Sequence, residues 1–411
     1  VTERPIVDFD HHSPRFAATN RQTLRDLQEQ CPVAWTEAHG GYWVVSDYQG
    51  VAAVSRDDDR FASGKDGPDG LRRGTSIPES PGLAIPIETD PPEFYTYRRL
   101  LNPWFTPAAV ERNEPMIRRI AHSLVDRFIE RGRCDLVFDL ANPLPAIVTM
   151  RLLGLPLADW ERYATAMHKV LYTPQGTAEF AEVSREYQQL AGDIFVTLAE
   201  RRAEPADDLL SFLGTTEVDG QPLSDMTISN IVNLVIAGGV DTTTALTANA
   251  LIHLFRHPDD RERLRAEPEA RALATEEFLR YFSPIQALAR TVTVDTELEG
   301  HRMKAGERVL VCWAGANQDP AMFDRPDEVV LDRFPNRHTS FGLGLHRCVG
   351  SNLARAEFRV MLDVVLERLP DYRIDEAALE PYPSLGIVNG WISAPATFTP
   401  GPSVGAERLG W

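Results

Sequence analysis

Phe341-Gly342-Leu343-Gly344-Leu345-His346-Arg347-Cys348-Val349-Gly350 is the stretch on which the reading of this 411-residue chain turns. It sets one cysteine in a glycine-rich loop, beside an aromatic and just ahead of a long amphipathic segment. A lone cysteine is ordinarily a small buried hydrophobe. The surroundings here suit a metal-ligating thiolate instead. Gly342, Gly344 and Gly350 permit backbone conformations and close approaches that side chains block. A helix starting near Ser351 turns its positive end toward the sulfur and favours the ionised form. Phe341 is positioned to keep water away.

A second unusual stretch lies inside the longest helical pattern, at Ala237-Gly238-Gly239-Val240-Asp241-Thr242-Thr243. Two adjacent glycines in a helix interior cost about 1 kcal/mol each relative to alanine, so they need a reason. Thr242 is one turn past Gly238, where its hydroxyl can bond back to the Gly238 carbonyl and bend the helix. That reading gives a polar notch in an apolar helix, with the Asp241 carboxylate beside it. A third feature is Glu277-Phe278-Leu279-Arg280, whose spacing of three puts opposite charges on one helix face. Alone it is a weak signal.

Composition limits the function classes. Hydrophobic residues make up 43% and charged residues 25%, as in a folded protein with a large core. With no repeat, low-complexity tract or flexible linker, residues 1–411 are expected to form a single domain. The net charge of −18 disfavours nucleic acid as a partner. The four cysteines, at positions 31, 134, 312 and 348, form no C-x-x-C pair, which argues against a zinc site or a disulfide framework. The first residues carry no apolar signal core, and the most apolar window, 231–240, is short. A cytoplasmic protein without a membrane span is therefore expected. Arg337, Arg347, Arg355 and Arg359 near the cysteine loop, and Arg112, Arg118 and Arg119 elsewhere, are either ordinary solvated arginines or a cationic docking face.

The periodicity predicts helices over 20–30, 107–131, 159–170, 177–202, 224–257, 268–282 and 351–369, with strands at 43–45, 292–295 and 308–313. Helices with a few scattered strands do not match βαβ alternation, so a Rossmann domain is excluded.

The spacing F-G-x-G-x-H-x-C-x-G resembles the haem-binding loop of the cytochrome P450 family, in its soluble bacterial type. The resemblance implies a mainly α fold with small β-sheets, haem lying between the long oxygen-binding helix and the cysteine-loop helix. Cys348 is then the thiolate ligand of the iron of haem b, in a loop that includes Phe341, Gly342 and Gly350. Asp241 and Thr242 resemble the acid–alcohol pair that relays protons to dioxygen, the co-substrate. Glu277 and Arg280 resemble the structural ion pair behind the haem, with Arg333 as the nearest third partner. Arg98, within Asp90-Pro-Pro-Glu-Phe94-Tyr-Thr-Tyr-Arg98, Arg290 and His346 resemble the groups that bind the haem propionates. Phe94 stands where histidine is common, which leaves Tyr95, Tyr97 or Trp104 to compensate and shifts load onto His346.

The resemblance further implies a substrate pocket lined by segments 64–86 and 163–190, the oxygen helix near 235–242, the stretch 285–288, a strand near Ala314 and the turn 386–388. Leu83, Ile85, Val235, Ala237, Val240, Ile285, Leu288, Ile387 and Val388 are the expected contacts. Nearly all are aliphatic, so a small apolar ligand is expected. The implied activity is a monooxygenase that inserts one oxygen atom of O2 by hydroxylation or epoxidation, as a monomer fed by a separate ferredoxin. Peroxide-driven or non-oxygenating chemistry, and a non-catalytic haem binder, are the alternatives.

Overall fold

The computed structural model describes residues 4–65, 70–80, 82–174 and 177–406, with only the backbone of Ala191. Positions 66–69, 81 and 175–176 of the expected pocket segments lie outside the described residues. The chain divides into two compact units. One comprises Val1–Arg99, Glu276–Cys348 and Ser384–Asn389; the other comprises Leu100–Thr275, Val349–Pro383 and Gly390–Trp411.

The first unit is organised by a five-stranded sheet in the spatial order Val33–Thr36, Tyr42–Val45, Arg308–Val311, Leu288–Val292, Phe61–Ala62. Arg308–Val311 runs parallel to Tyr42–Val45, and the other neighbours are antiparallel. These short runs are rich in β-branched and aromatic residues, which fit a pleated surface, and nearly every position is buried. Trp35 and Trp43 meet edge to face at 5.5 Å in the core beside Phe61, Val309 and Val311. Leu343, from the cysteine loop, packs against this same cluster.

A buried ion pair fixes the chain leading into that loop. Arg280 donates from Nε and Nη2 to the two carboxylate oxygens of Glu277, both at 2.8 Å. Its other donors reach the carbonyls of Asn317, Pro326 and Glu328 at 2.8–2.9 Å. Glu277 also accepts from the backbone N–H of Val330, from Arg333 Nε at 2.9 Å and from Asn336 Nδ2 at 3.1 Å. Arg333 is thus the third partner. Both side chains of the pair have no solvent exposure, so desolvation is offset only because all five guanidinium donors are used.

The second unit is mainly helical, with a three-stranded sheet of Arg133–Asp135, Pro395–Thr397 and Arg373–Ile374. Its Ser351–Arg368 helix packs against Pro107–Asp126 and Asp241–Arg256. Arg118 and Arg271 both bind Asp363 on that helix, at 3.0 and 2.9 Å. The long run predicted over 224–257 starts as expected, with Ser224 capping Thr227 N–H at 3.1 Å. It is not continuous: Val240, at φ −90°, ψ −70°, divides it into Asp225–Gly239 and Asp241–Arg256. Together Asp225–Arg256 is long and apolar enough to cross a membrane, but 61% of its most apolar window is buried inside the protein. A helix apolar around much of its circumference and covered in this way is a core helix.

Other boundaries differ for local reasons. The first helix begins at Pro14 under the Ser13 cap, six residues before the expected start at 20, and Thr19 is an irregular turn inside it. The 107–131 pattern stops being α-helical at Asp126 and continues as a separate turn, Ile129–Arg131. The helix expected to reach 257 ends at Arg256, and Pro258 opens the next one, Pro258–Ala266, since proline suits a first turn. The strand expected over 292–295 begins four residues earlier, at Leu288–Val292. Ala314 sits in a short helix, Trp313–Ala316, and not in a strand.

Replacing Arg280 by methionine strands a buried carboxylate, and we expect a stability loss of about 3–5 kcal/mol, read as a lower midpoint in urea unfolding.

Candidate active site

The cysteine loop is shaped by two left-handed glycines. Gly342 and Gly344 both have φ +70°, a conformation that costs a non-glycine residue steric strain. At Gly344 a Cβ would also stand 2.1 Å from the carbonyl oxygen of Ser55, so the loop runs directly against that backbone. The turn is closed by Gly342 N–H donating to Thr339 O at 2.7 Å and Cys348 N–H donating to Phe341 O at 2.8 Å. Gly350 does not use its freedom; it sits at φ −80° as the cap of the following helix. Cys348 is exposed at the rim of the loop, and Phe341 is half-buried.

His346 points inward from this loop. Its side chain is 5% exposed, yet neither ring nitrogen has a hydrogen-bond partner among the described residues. The nearest carboxylate oxygen, Asp58 Oδ1, is 3.9 Å away. Leaving a buried donor and acceptor unmade costs roughly 1–3 kcal/mol, so the site is built for something. Burial, followed by the nearby charges of Arg290 and Arg98, pushes the His346 pKa down to about 3. Arg290 is itself 5% exposed; its Nη1 bonds Ser63 Oγ and lies 3.5 Å from Asp58. Burial depresses the Arg98 pKa, an effect Arg347 adds to and Cys348 opposes. Phe94 is fully buried, its ring 4.4 Å from that of His346. It supplies no donor and instead holds the imidazole in place. Tyr97 hydroxyl donates to Glu93 at 3.0 Å, and Trp104 packs on Phe212.

In the second unit the glycine pair has separate uses. A Cβ at Gly239 would approach Thr149 Oγ1 to 2.8 Å, so Gly239 lets two helices close up. A Cβ at Gly238 would meet nothing within 4 Å among the described residues, so packing among them does not demand glycine there. Thr242 Oγ1 donates to the Gly238 carbonyl at 2.9 Å, the back-bond expected from the spacing. Asp241 differs from expectation in its surroundings. It is fully buried, its Oδ1 2.7 Å from His168 Nδ1 and its Oδ2 accepting from Tyr382 hydroxyl at 2.7 Å.

Comparison with known proteins gives a consistent answer. The sequence profile described as Cytochrome P450 matches residues 159–370. A steroid C26-monooxygenase of Mycobacterium tuberculosis is 34% identical over 98% of this chain and 100% of its own. A methyl-branched lipid omega-hydroxylase of the same organism is 33% identical, with 90% of each covered. Among solved structures, a Mycobacterium marinum cytochrome P450 in complex with pseudoionone superposes with TM-score 0.87 at 30% identity, covering 97% of this chain and 100% of that one.

The chain belongs to the cytochrome P450 family.

It has the cytochrome P450 fold and is a P450 monooxygenase by class. Haem, which the family implies, can be tested against the first unit's side chains. A P450 needs donors for two haem carboxylates and a thiol for the iron. Buried, unpartnered His346 nitrogens with two arginine charges close enough to hold the ring neutral fit a carboxylate-bearing group. The exposed Cys348 thiol in the same loop fits the iron.

The expected substrate contacts fall into two groups. Ile85, Val240 and Val388 are sealed in protein at 2–3% exposure, Val388 paired with Ile285 in an isolated bridge. Leu83, Val235, Ala237, Ile285, Leu288 and Ile387 are half-buried and retain accessible surface. His168 and Tyr382 went unrecognised in the sequence. Neither belongs to a motif, and Tyr382 lies 141 residues from Asp241 in the chain.

Two outcomes follow for haem retention. His346→Phe removes the buried donor that Phe94 cannot replace, and haem occupancy after gel filtration should fall markedly. Gly344→Ala drives a methyl into the Ser55 carbonyl, and should lower haem occupancy while leaving the far-UV circular dichroism largely intact.

Proposed function

We propose that this P450 holds haem b through Cys348, with Arg98, Arg290 and His346 on its carboxylates, and oxidises a small apolar molecule with O2. The observation that carries this reading is the pair of buried, unpartnered His346 nitrogens beside Arg98 and Arg290 in the loop that presents Cys348. Thiolate-ligated haem, when bound, supplies an electron-rich iron that favours O–O cleavage. The chain's own groups manage water and protons around that chemistry. Thr242 spends its hydroxyl proton on the Gly238 carbonyl, which leaves the Oγ1 lone pairs as acceptors. Asp241, the neighbouring acid, supplies protons. Glu277 and Arg280 act structurally, through the segment they fix.

The reaction is hydroxylation or epoxidation, and the relatives named as acting on steroids and methyl-branched lipids support a bulky hydrocarbon substrate. Aliphatic Leu83, Val235, Ile285, Leu288 and Ile387 support the same class. Electrons come from a separate ferredoxin, for which exposed Arg337 and Arg347 beside the cysteine loop are suited to an acidic partner. Residues 1–411 work as one catalytic domain, monomeric and cytoplasmic.

A panel of sterols, branched fatty acids and terpenoids tests the substrate class: a true ligand shifts the Soret band of the holoenzyme to the blue and yields an oxygenated product. Charged or strongly polar compounds giving the shift, with hydrocarbons silent, would contradict it. With the substrate in hand, Thr242→Ala should uncouple oxygen use from product formation. Full coupling in that variant would remove Thr242 from the proton path.

A further inference from the structure

Three buried side chains of the second unit form a closed polar cluster. His168 lies on the Trp160–Tyr172 helix, Asp241 opens the Asp241–Arg256 helix, and Tyr382 follows the strand Glu380–Pro381. Their exposures are 1%, 0% and 2%. His168 Nδ1 is 2.7 Å from Asp241 Oδ1, and His168 Nε2 is 3.2 Å from the Ile392 carbonyl oxygen. Tyr382 hydroxyl donates to Asp241 Oδ2 at 2.7 Å and lies 3.0 Å from His168 Nδ1.

These contacts count protons. A carbonyl oxygen has none to give, so the one facing Ile392 sits on His168 Nε2. Tyr382 has one hydroxyl proton, and it is spent on Asp241 Oδ2. A ring nitrogen and a carboxylate oxygen 2.7 Å apart cannot both present lone pairs, so a further proton lies between Nδ1 and Oδ1. The pair therefore stores one proton more than a neutral histidine beside an ionised aspartate. The other groups facing the ring agree. Burial alone lowers the His168 pKa, but the charge and hydrogen bond of Asp241, with the Ile392 carbonyl and Asp135, outweigh it and raise it. Burial, then Asp241, pushes the Tyr382 pKa well above the ordinary range, so Tyr382 remains a fixed donor. Tyr172 and Phe138 pack edge-on to the imidazole at 5.3 and 5.6 Å and bring no charge.

We propose that His168 is the proton donor that reloads Asp241 after each delivery, with Tyr382 positioning the carboxylate so that Oδ1 faces the imidazole. The proposal rests on the reading of Asp241 as the proton-supplying acid. Once Asp241 has delivered the shared proton, the pair is a neutral His168 beside an ionised Asp241, and a solvent proton first restores Nδ1–H. That N–H bond then breaks as an O–H bond forms at Asp241 Oδ1, which leaves His168 neutral with its Nε2–H on Ile392. No electrons move.

Nitrogen-15 NMR of the histidine-labelled, reduced, carbon-monoxide-bound holoenzyme, which is diamagnetic, reads the stored proton without turnover. At neutral pH we expect His168 either protonated on both nitrogens, or neutral beside an infrared carboxylic-acid band that Asp241→Asn abolishes. A neutral ring with no such band overturns the proposal. His168→Gln keeps a donor for Asp241 but has no proton to pass. It should retain haem while turnover falls by about 100-fold, the low end for a general acid–base group, with an increased solvent deuterium isotope effect. Wild-type turnover and isotope effect in His168→Gln would reduce His168 to packing. Asp241→Asn separates the two readings: if that variant stays fully coupled, the assignment of Asp241 itself fails, whatever His168 does.

Discussion

A guanidinium with no access to water, that of Arg280, is the constraint on which the cysteine loop depends. It is tied twice to Glu277 and reaches three carbonyls at Asn317, Pro326 and Glu328. Glu277 in turn collects Val330, Arg333 and Asn336. A segment with little regular structure is thereby held by charge-assisted hydrogen bonds whose loss would leave a buried ion. Asn317 carries the order onward: its side chain accepts from Thr339 N–H at 2.6 Å, and Thr339 carbonyl receives Gly342 N–H. Through these links a helix pair at 277 and 280 sets the geometry of a loop more than 60 residues later in the chain.

The loop presents two unlike groups. Cys348 is exposed, whereas His346 is buried with both nitrogens unpaired. Polar groups are rarely buried unpaired without a purpose. Phe94 adds a particular strain of design to this chain. The family resemblance leads one to expect a donor at that position, and in its place the Phe94 ring packs 4.4 Å from that of His346. The load on His346 is therefore an expectation from packing as well as from sequence.

Much of this was legible in the sequence, for definable reasons. The cysteine loop reads clearly because glycines at φ +70° and a close backbone contact leave few residue choices. Thr242 reads clearly because its partner, Gly238, is one turn away. Arg333 was recognisable only as a nearby cation, since its bond to Glu277 depends on how 324–336 coils. The disturbance between Gly238 and Thr242 was legible from the glycine pair and the Thr242 back-bond, but its exact place at Val240 was not. The His168–Tyr382 clamp was invisible, since long-range pairs of ordinary residues leave no local periodicity. The first helix starts at Pro14 and not at 20 because several polar residues there have similar capping preference, and Ser13 takes the role.

The central claim is that Cys348 is the thiolate that ligates haem iron. Its most direct test is the reduced carbon-monoxide difference spectrum of the holoenzyme beside Cys348→Ser. The account predicts the red-shifted Soret band typical of thiolate ligation in the wild type and its loss in the variant. A wild-type band at the position typical of histidine-ligated haem, or a thiolate-type band that survives Cys348→Ser, would contradict it.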